Sequence, residues 1–235
     1  MKKHADVYIK KIEDHNDHEV WLVDGVLIRN ELNDSFTEYG YHVRFPFIPQ
    51  NEIWIEKDTN DDEWKYFLEN VDFEMKGLAE GKKLEDVAEK ADKAERRDRR
   101  QSPQMRKIIE SHHERKEALE KIRKEKFDEY CNENITVWLI NGEFVRTLYF
   151  SEYAYGGHDL VYDFVPQNEV WIEDVLEPKE RKIILLHELH ERSLMSGGKD
   201  YEHAHHGAII VEAYYREHPE ELHERLKEEL AKNSS

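Results

Sequence analysis

The chain repeats itself at a fixed offset of 117 residues, and that repeat limits its possible folds more than any other feature. Val20-Trp21-Leu22-Val23-Asp24-Gly25 returns as Val137-Trp138-Leu139-Ile140-Asn141-Gly142, and Pro49-Gln50-Asn51-Glu52-Ile53-Trp54-Ile55-Glu56 returns as Pro166-Gln167-Asn168-Glu169-Val170-Trp171-Ile172-Glu173. Without a gap, residues 20–57 match their counterparts at 14 positions in 38. Residues 61–95 match at nine in 35, among them Glu63/Glu180, Glu74/Glu191, Gly81/Gly198 and Glu95/Glu212. The pattern predicts a tandem duplication, with a first unit over 1–97, a charged helical linker over 98–129 and a second unit over 130–235.

Each unit reads as α+β: a small antiparallel sheet followed by two helices. Asp24-Gly25 and Asn141-Gly142, between apolar runs, predict two-residue hairpin turns, because a type I′ turn needs positive φ at both positions. A third strand is expected over Val43–Ile48 or Leu160–Val165, and a fourth ends in Trp-Ile-Glu. The period then becomes helical. Glu180–Met195 carries Ile183, Ile184, Leu186 and Leu194 on one side, and Gly197-Gly198 supplies a stop. A helix over Tyr201–Arg216 comes next, then an exposed acidic tail helix over Glu220–Lys232.

Charge and composition exclude several classes of function. The segment Arg96–Lys126 holds twelve basic and six acidic residues, which predicts a solvated connecting helix over Gln104–Glu129. Arg96-Arg97-Asp98-Arg99-Arg100 is the one stretch suited to nucleic acid, but it lacks stacking aromatics. A net charge of -18 also disfavours binding to a phosphate backbone. No apolar run approaches the ~18 residues of a membrane span, and Met1-Lys2-Lys3-His4-Ala5-Asp6 lacks the apolar core of a signal peptide. The expectation is a soluble, cytoplasmic chain with no membrane partner. Cys131 is the only cysteine, so a metal would have to be held by His, Asp or Glu.

The histidines are concentrated. Five of fourteen fall between 187 and 206: His187, His190, His203, His205 and His206. In Leu186-His187-Glu188-Leu189-His190-Glu191-Arg192, residues four apart share a helix face, so His187 and Glu191 can offer an imidazole and a carboxylate to one ion. Glu188 projects beside them as a general base for metal-bound water. On the next helix His205, Ala208, Ile209 and Glu212 share a face. That makes His205 the third ligand and Glu212 a partner that orients an imidazole. His190 and His206 are alternates, and His158, after two glycines, is a further ligand or substrate contact. His203 and the scattered histidines are surface residues. The first unit has Asn70, Val71, Phe73, Glu74 and Ala88 at the positions of His187, Glu188, His190, Glu191 and His205, so it cannot make this site.

The segment from Gly156-Gly157-His158 through Phe164-Val165-Pro166, Glu169 to Glu173, the His187-Glu188-Leu189-His190-Glu191 helix and Ala204-His205 resembles small bacterial and phage proteins with a zincin-like arrangement. The resemblance covers about eighty residues of the second unit, with H-E-x-x-E in place of H-E-x-x-H. It implies a sheet flanking a metal-bearing helix and a zinc-dependent, peptide-cleaving activity. His187 would be first ligand, Glu188 general base and Glu191 second ligand.

The leading expectation is a zinc hydrolase of the metallopeptidase kind acting on a peptide or protein. The competing expectation is a non-enzymatic acidic protein that binds a basic partner, in the manner of a nucleic-acid mimic, with a structural or vestigial metal site. A dinuclear metal enzyme is the third. Pairing of the two units as an internal pseudo-dimer is compatible with all three.

Overall fold

In the computed structural model, which describes residues 6–101 and 114–233, Asp24-Gly25 starts a helix instead of turning a hairpin. Strand β1 (Tyr8–His15) pairs antiparallel with β2 (His18–Val23), and helix α1 (Gly25–Glu31) comes directly after. The Asp24 carboxylate accepts the Leu27 N–H at 3.0 Å as an N-cap, and the Gly25 N–H donates to Glu56 at 3.2 Å. A Cβ on Gly25 would overlap the Glu56 side chain, so glycine is required there by space. Asp-Gly satisfies both a helix cap and a type I′ turn; the close approach of Glu56 favours the cap.

The chain reaches β3 (Tyr39–Tyr41) and β4 (Glu52–Glu56) after this crossover, so β4 lies parallel to β2 and antiparallel to β3. The sheet is therefore mixed, in the order β1-β2-β4-β3, and not antiparallel throughout. The third strand is three residues long and ends at Tyr41, ahead of the expected span. Both faces are covered, which explains why the central strands read as continuous apolar runs. Val20, Leu22, Ile53 and Ile55 pack with Phe67, Leu68 and Val71 of α2 (Trp64–Ala79). Val23 and Trp54 pack on the other side with Ile28, Phe36 and Ile48. Helix α3 (Leu84–Arg100) packs on α2.

The second half repeats the scheme. Helix α4 (Glu114–Ile122) leads into β5 (Arg123–Lys126), β6 (Thr136–Ile140), α5 (Gly142–Leu148), β7 (Gly156–His158) and β8 (Glu169–Glu173). The sheet order is β5-β6-β8-β7, with β6 parallel to β8. Asn141 caps α5 by accepting the Phe144 N–H at 3.2 Å, the counterpart of the Asp24 cap. The central registers match at 117 residues, as in Glu19↔Glu52 against Thr136↔Glu169 and Tyr39↔Ile55 against Gly156↔Ile172. The outer strands do not: Tyr8↔Val23 corresponds to Arg123↔Ile140, an offset of 115 for the outer residue.

Three helices complete this half: α6 (Pro178–Ser196), α7 (Tyr201–Glu217) and α8 (Leu222–Lys232). Val137, Leu139, Val170 and Ile172 pack with Ile183, Ile184 and Leu186 of α6. The tail helix α8 is not the exposed element its composition suggests. Its Leu222 and Leu226 join the same core, and its buried Glu229 bonds His190.

Contacts divide the chain into a unit of Met1–Glu114 with Arg146–Glu152, and a unit of Arg115–Val145 with Tyr153–Ser235. Much of the expected linker helix, residues 102–113, lies outside the described residues. Beyond it the chain forms the short helix α4 and then the edge strand β5, not one continuous helix to Glu129. Within the first unit Arg99 is buried against Glu63 and Glu95, while Arg96 and Arg100 donate to the carbonyls of Tyr149 and of Thr147 and Leu148. Arg97 pairs with Asp98, so all four arginines in that basic run have partners within the unit. No helix among the described residues is long and apolar enough to cross a membrane.

Candidate metal centre

The candidate site is built in the second unit from one edge strand and two helices. The first turns of α6 are fixed by Pro178 at its start and by Ile183, Ile184 and Leu186 in the core, which turns His187 and Glu191 to the same side, toward α7. Helix α7 begins at Asp200, whose side chain accepts the His203 N–H at 3.0 Å. Its buried residues Ala204 and Ala208 let α7 approach α6 closely.

His187, Glu191 and His205 come together as the spacing predicts, each offering one donor atom within 4.8 Å of the others. The separations are 3.2 Å for His187 Nε2 to His205 Nδ1, 2.7 Å for His205 Nδ1 to Glu191 Oε2, and 3.8 Å for His187 Nε2 to Glu191 Oε2. Donors about 2.0–2.1 Å from a tetrahedral ion lie about 3.4 Å apart, and these separations bracket that value. Donor set and dimensions therefore fit a small divalent ion.

Glu212 stands where expected, with Oε2 at 2.7 Å from His187 Nδ1. A carboxylate only accepts, so His187 Nδ1 carries the proton and its Nε2 is left to ligate. Arg216 donates to Glu212 and to Glu180, which holds the Glu212 carboxylate in place. The repeat itself carries a signal for this support that the histidine pattern does not: Glu180, Glu212 and Arg216 match Glu63, Glu95 and Arg99 at the repeat offset. In the first unit Arg99 likewise joins Glu63 and Glu95, and Asn70 donates to Glu95 at 2.8 Å where His187 meets Glu212.

His158 is buried at the end of β7 and its Nε2 lies 3.0 Å from Glu191 Oε1. It belongs to the site through Glu191, not as a group facing solvent. The trio His158, Glu188 and Glu191 forms a second cluster of donors within 4.8 Å. Glu188 lies against Gly156, whose lack of a side chain leaves it room, and it has no hydrogen-bond partner among the described residues. The ring of Tyr201, 48 % exposed, stacks on His205 with centroids 5.3 Å apart.

The alternates fall elsewhere. His190 turns away to Glu229, with Nδ1 at 2.9 Å from its Oε1, and His206 is exposed on the outer side of α7. His203 is exposed beside its capping partner Asp200.

The electrostatics are those of a site rich in negative charge. Burial works to lower the pKa of His187, but the nearby Glu191 carboxylate and the hydrogen bond to Glu212 outweigh it and push the imidazole up to about 10. Burial works to raise Glu191, yet the three histidines hold it well below the usual carboxylate range, and Glu212 is brought down to about 2 against burial by His187 and Arg216. Glu188 goes the other way, to about 8, because it is buried and lies near Glu191 and Glu212. Among the described residues no lysine or arginine ion-pairs with Glu188 or Glu191. Comparison with family models, curated proteins and solved structures returned no match.

Proposed function

We propose that the chain is a zinc-dependent hydrolase whose centre is His187, Glu191 and His205, with Glu188 as general base. The observation that carries the reading is the convergence of two imidazoles and a carboxylate at ligand spacing beside the buried carboxyl of Glu188. A carboxylate costs several kcal/mol to bury unless something compensates it, and Val71 fills the same repeat position in the first unit. Scaffold alone therefore does not call for an acid there. A zinc ion bound by three protein ligands lowers the pKa of a bound water and polarises an acyl carbonyl. Glu188 takes the proton from the attacking water, Glu212 keeps His187 in the ligating tautomer, and His158 holds Glu191 in line.

The matched central registers and the matched Glu-Arg-Glu supports favour descent of both units from one duplicated unit, the first of which kept the scaffold and not the ligands. The arrangement of a sheet edge against a His-Glu-bearing helix supports the zincin-like reading, and a peptide or protein is the proposed substrate. The trio His158, Glu188 and Glu191 favours a second reading, in which Glu191 bridges two ions.

The test is metal analysis of untagged protein together with hydrolysis of a mixed fluorogenic peptide pool. One equivalent of zinc, with activity lost in Glu188→Gln while the metal is kept, supports the hydrolase. Two equivalents support the bridged site. Less than about a tenth of an equivalent of any transition metal, the level of contamination at the affinities such sites have, overturns both.

A further inference from the structure

The two units treat one buried carboxylate differently. In the first, Glu74 accepts two hydrogen bonds from Arg44, Nε at 3.0 Å and Nη2 at 2.5 Å, and a third from the Tyr41 hydroxyl at 3.0 Å. In the second, its counterpart Glu191 meets His158, which stands at the Tyr41 position, and on its other oxygen the nitrogens of His205 and His187. The residue at the Arg44 position is Val161.

The local backbones agree. Phe45 N donates to Tyr41 O at 2.9 Å and Tyr162 N to His158 O at 3.1 Å, while Ile48 N donates to Phe45 O and Val165 N to Tyr162 O. Arg44 and Val161 thus sit at the same step of the same turn. Around them the charges differ. Glu63, Glu74 and Glu95 are held by Arg44, Arg99 and Arg146, whereas Arg216 holds Glu180 and Glu212 and no arginine among the described residues pairs with Glu191 or the added Glu188. The other nearby guanidinium, Arg192, is held by Asp159 and Asn168. The second unit lacks, at the carboxylate where the imidazoles converge, the guanidinium that the first unit places on Glu74.

We propose that Arg44 is a resident substitute for the ion: its guanidinium takes in the first unit the place that a divalent metal takes in the second. The first unit is then a latent metal site, closed by Arg44 and by the loss of two imidazoles at Asn70 and Ala88. The inference rests on the metal reading of the second unit for the ion's identity, but the replacement of Arg44 by Val161 beside the matching carboxylate does not depend on it.

The experiment moves the arginine. Val161→Arg in the full chain should lose at least nine-tenths of its bound zinc. In excess chelator it should melt above wild type in the same chelator, by about 3 °C or more, since about 1 kcal/mol corresponds to roughly 2–4 °C at this chain length. Val161→Met, similar in length but uncharged, should keep its zinc. The reciprocal variant Arg44→Val/Asn70→His/Ala88→His should bind one equivalent more than wild type, and it decides the matter if Val161→Arg does not fold. Retention of zinc by Val161→Arg, loss of zinc by Val161→Met, or no gain by the reciprocal variant overturns the proposal. If wild type holds no metal, the hydrolase reading falls, and the melting shift of Val161→Arg in chelator still decides whether a guanidinium fits at Glu191 as Arg44 does at Glu74.

Discussion

Glu212 Oε2 sits 2.7 Å from His187 Nδ1, one helix supplying the imidazole and the next the carboxylate that fixes its tautomer. Removing that carboxylate in Glu212→Ala should weaken zinc binding about 10–100-fold, the usual effect of losing the partner behind a ligating histidine. Titration against a chromophoric chelator measures it. An unchanged affinity would show that His187 needs no support.

Glu188→Gln separates catalysis from binding. The amide keeps the shape of the side chain and cannot take a proton from water, so peptide hydrolysis should fall by about 10²–10⁴ while zinc stoichiometry stays the same.

Arg146 ion-pairs with Glu38 and Glu63 inside the first unit, and both acids are buried. Arg146→Ala leaves their charges partly uncompensated. Breaking a buried pair from one side costs about 3–5 kcal/mol, which urea titration would read as a lower midpoint at an unchanged slope. A loss below about 1 kcal/mol would mean that Arg99 suffices for Glu63.

Glu56 gives the first unit a pH dependence. Burial, aided by Asp58, pushes its carboxyl up to about 7 from the usual 4.5. The folded state therefore binds its proton more tightly than the unfolded state, so this contribution is present at low pH and is lost as pH rises from about 4.5 to 7. Glu56→Gln does not titrate, and its one amide oxygen can accept only one of the N–H groups that Glu56 takes from Gly25 and Asp58 on its two oxygens, a loss that is the same at every pH. Its stability relative to wild type should increase across that window, by at most about 3 kcal/mol. Parallel stability curves for the two proteins would rule this out.

The legible parts of the chain were those where one residue type has one structural meaning. Trp-Ile-Glu at the end of β4 and β8, the apolar face of α6 and the four-residue step from His187 to Glu191 each appear where their patterns place them. Asp24-Gly25 misled because the same pair caps helices and turns hairpins, and the deciding neighbour, Glu56, lies 31 residues on. Strand β1 was hidden by its charged sequence Tyr-Ile-Lys-Lys-Ile-Glu-Asp-His and by the two-residue break in the repeat offset at that edge. The tail helix was misjudged from its charge, since the two leucines that anchor it are few beside its acids. Arg44 could not be singled out as a partner of Glu74, because nothing in its neighbourhood in sequence points thirty residues ahead.

Tyr201 adds a consequence for the timing of events at the site. Its ring lies on His205 at the first turn of α7, directly after the Gly197-Gly198 break, and half of it faces solvent. The third donor is therefore carried on the part of α7 nearest a chain reversal, whereas the other two are embedded in α6. Fraying of that end would withdraw one donor and leave two behind, so on the metal reading the release of an ion should follow the unwinding of one helix end. Amide exchange at residues 203–206 should accordingly slow on zinc addition, ahead of any change within α6.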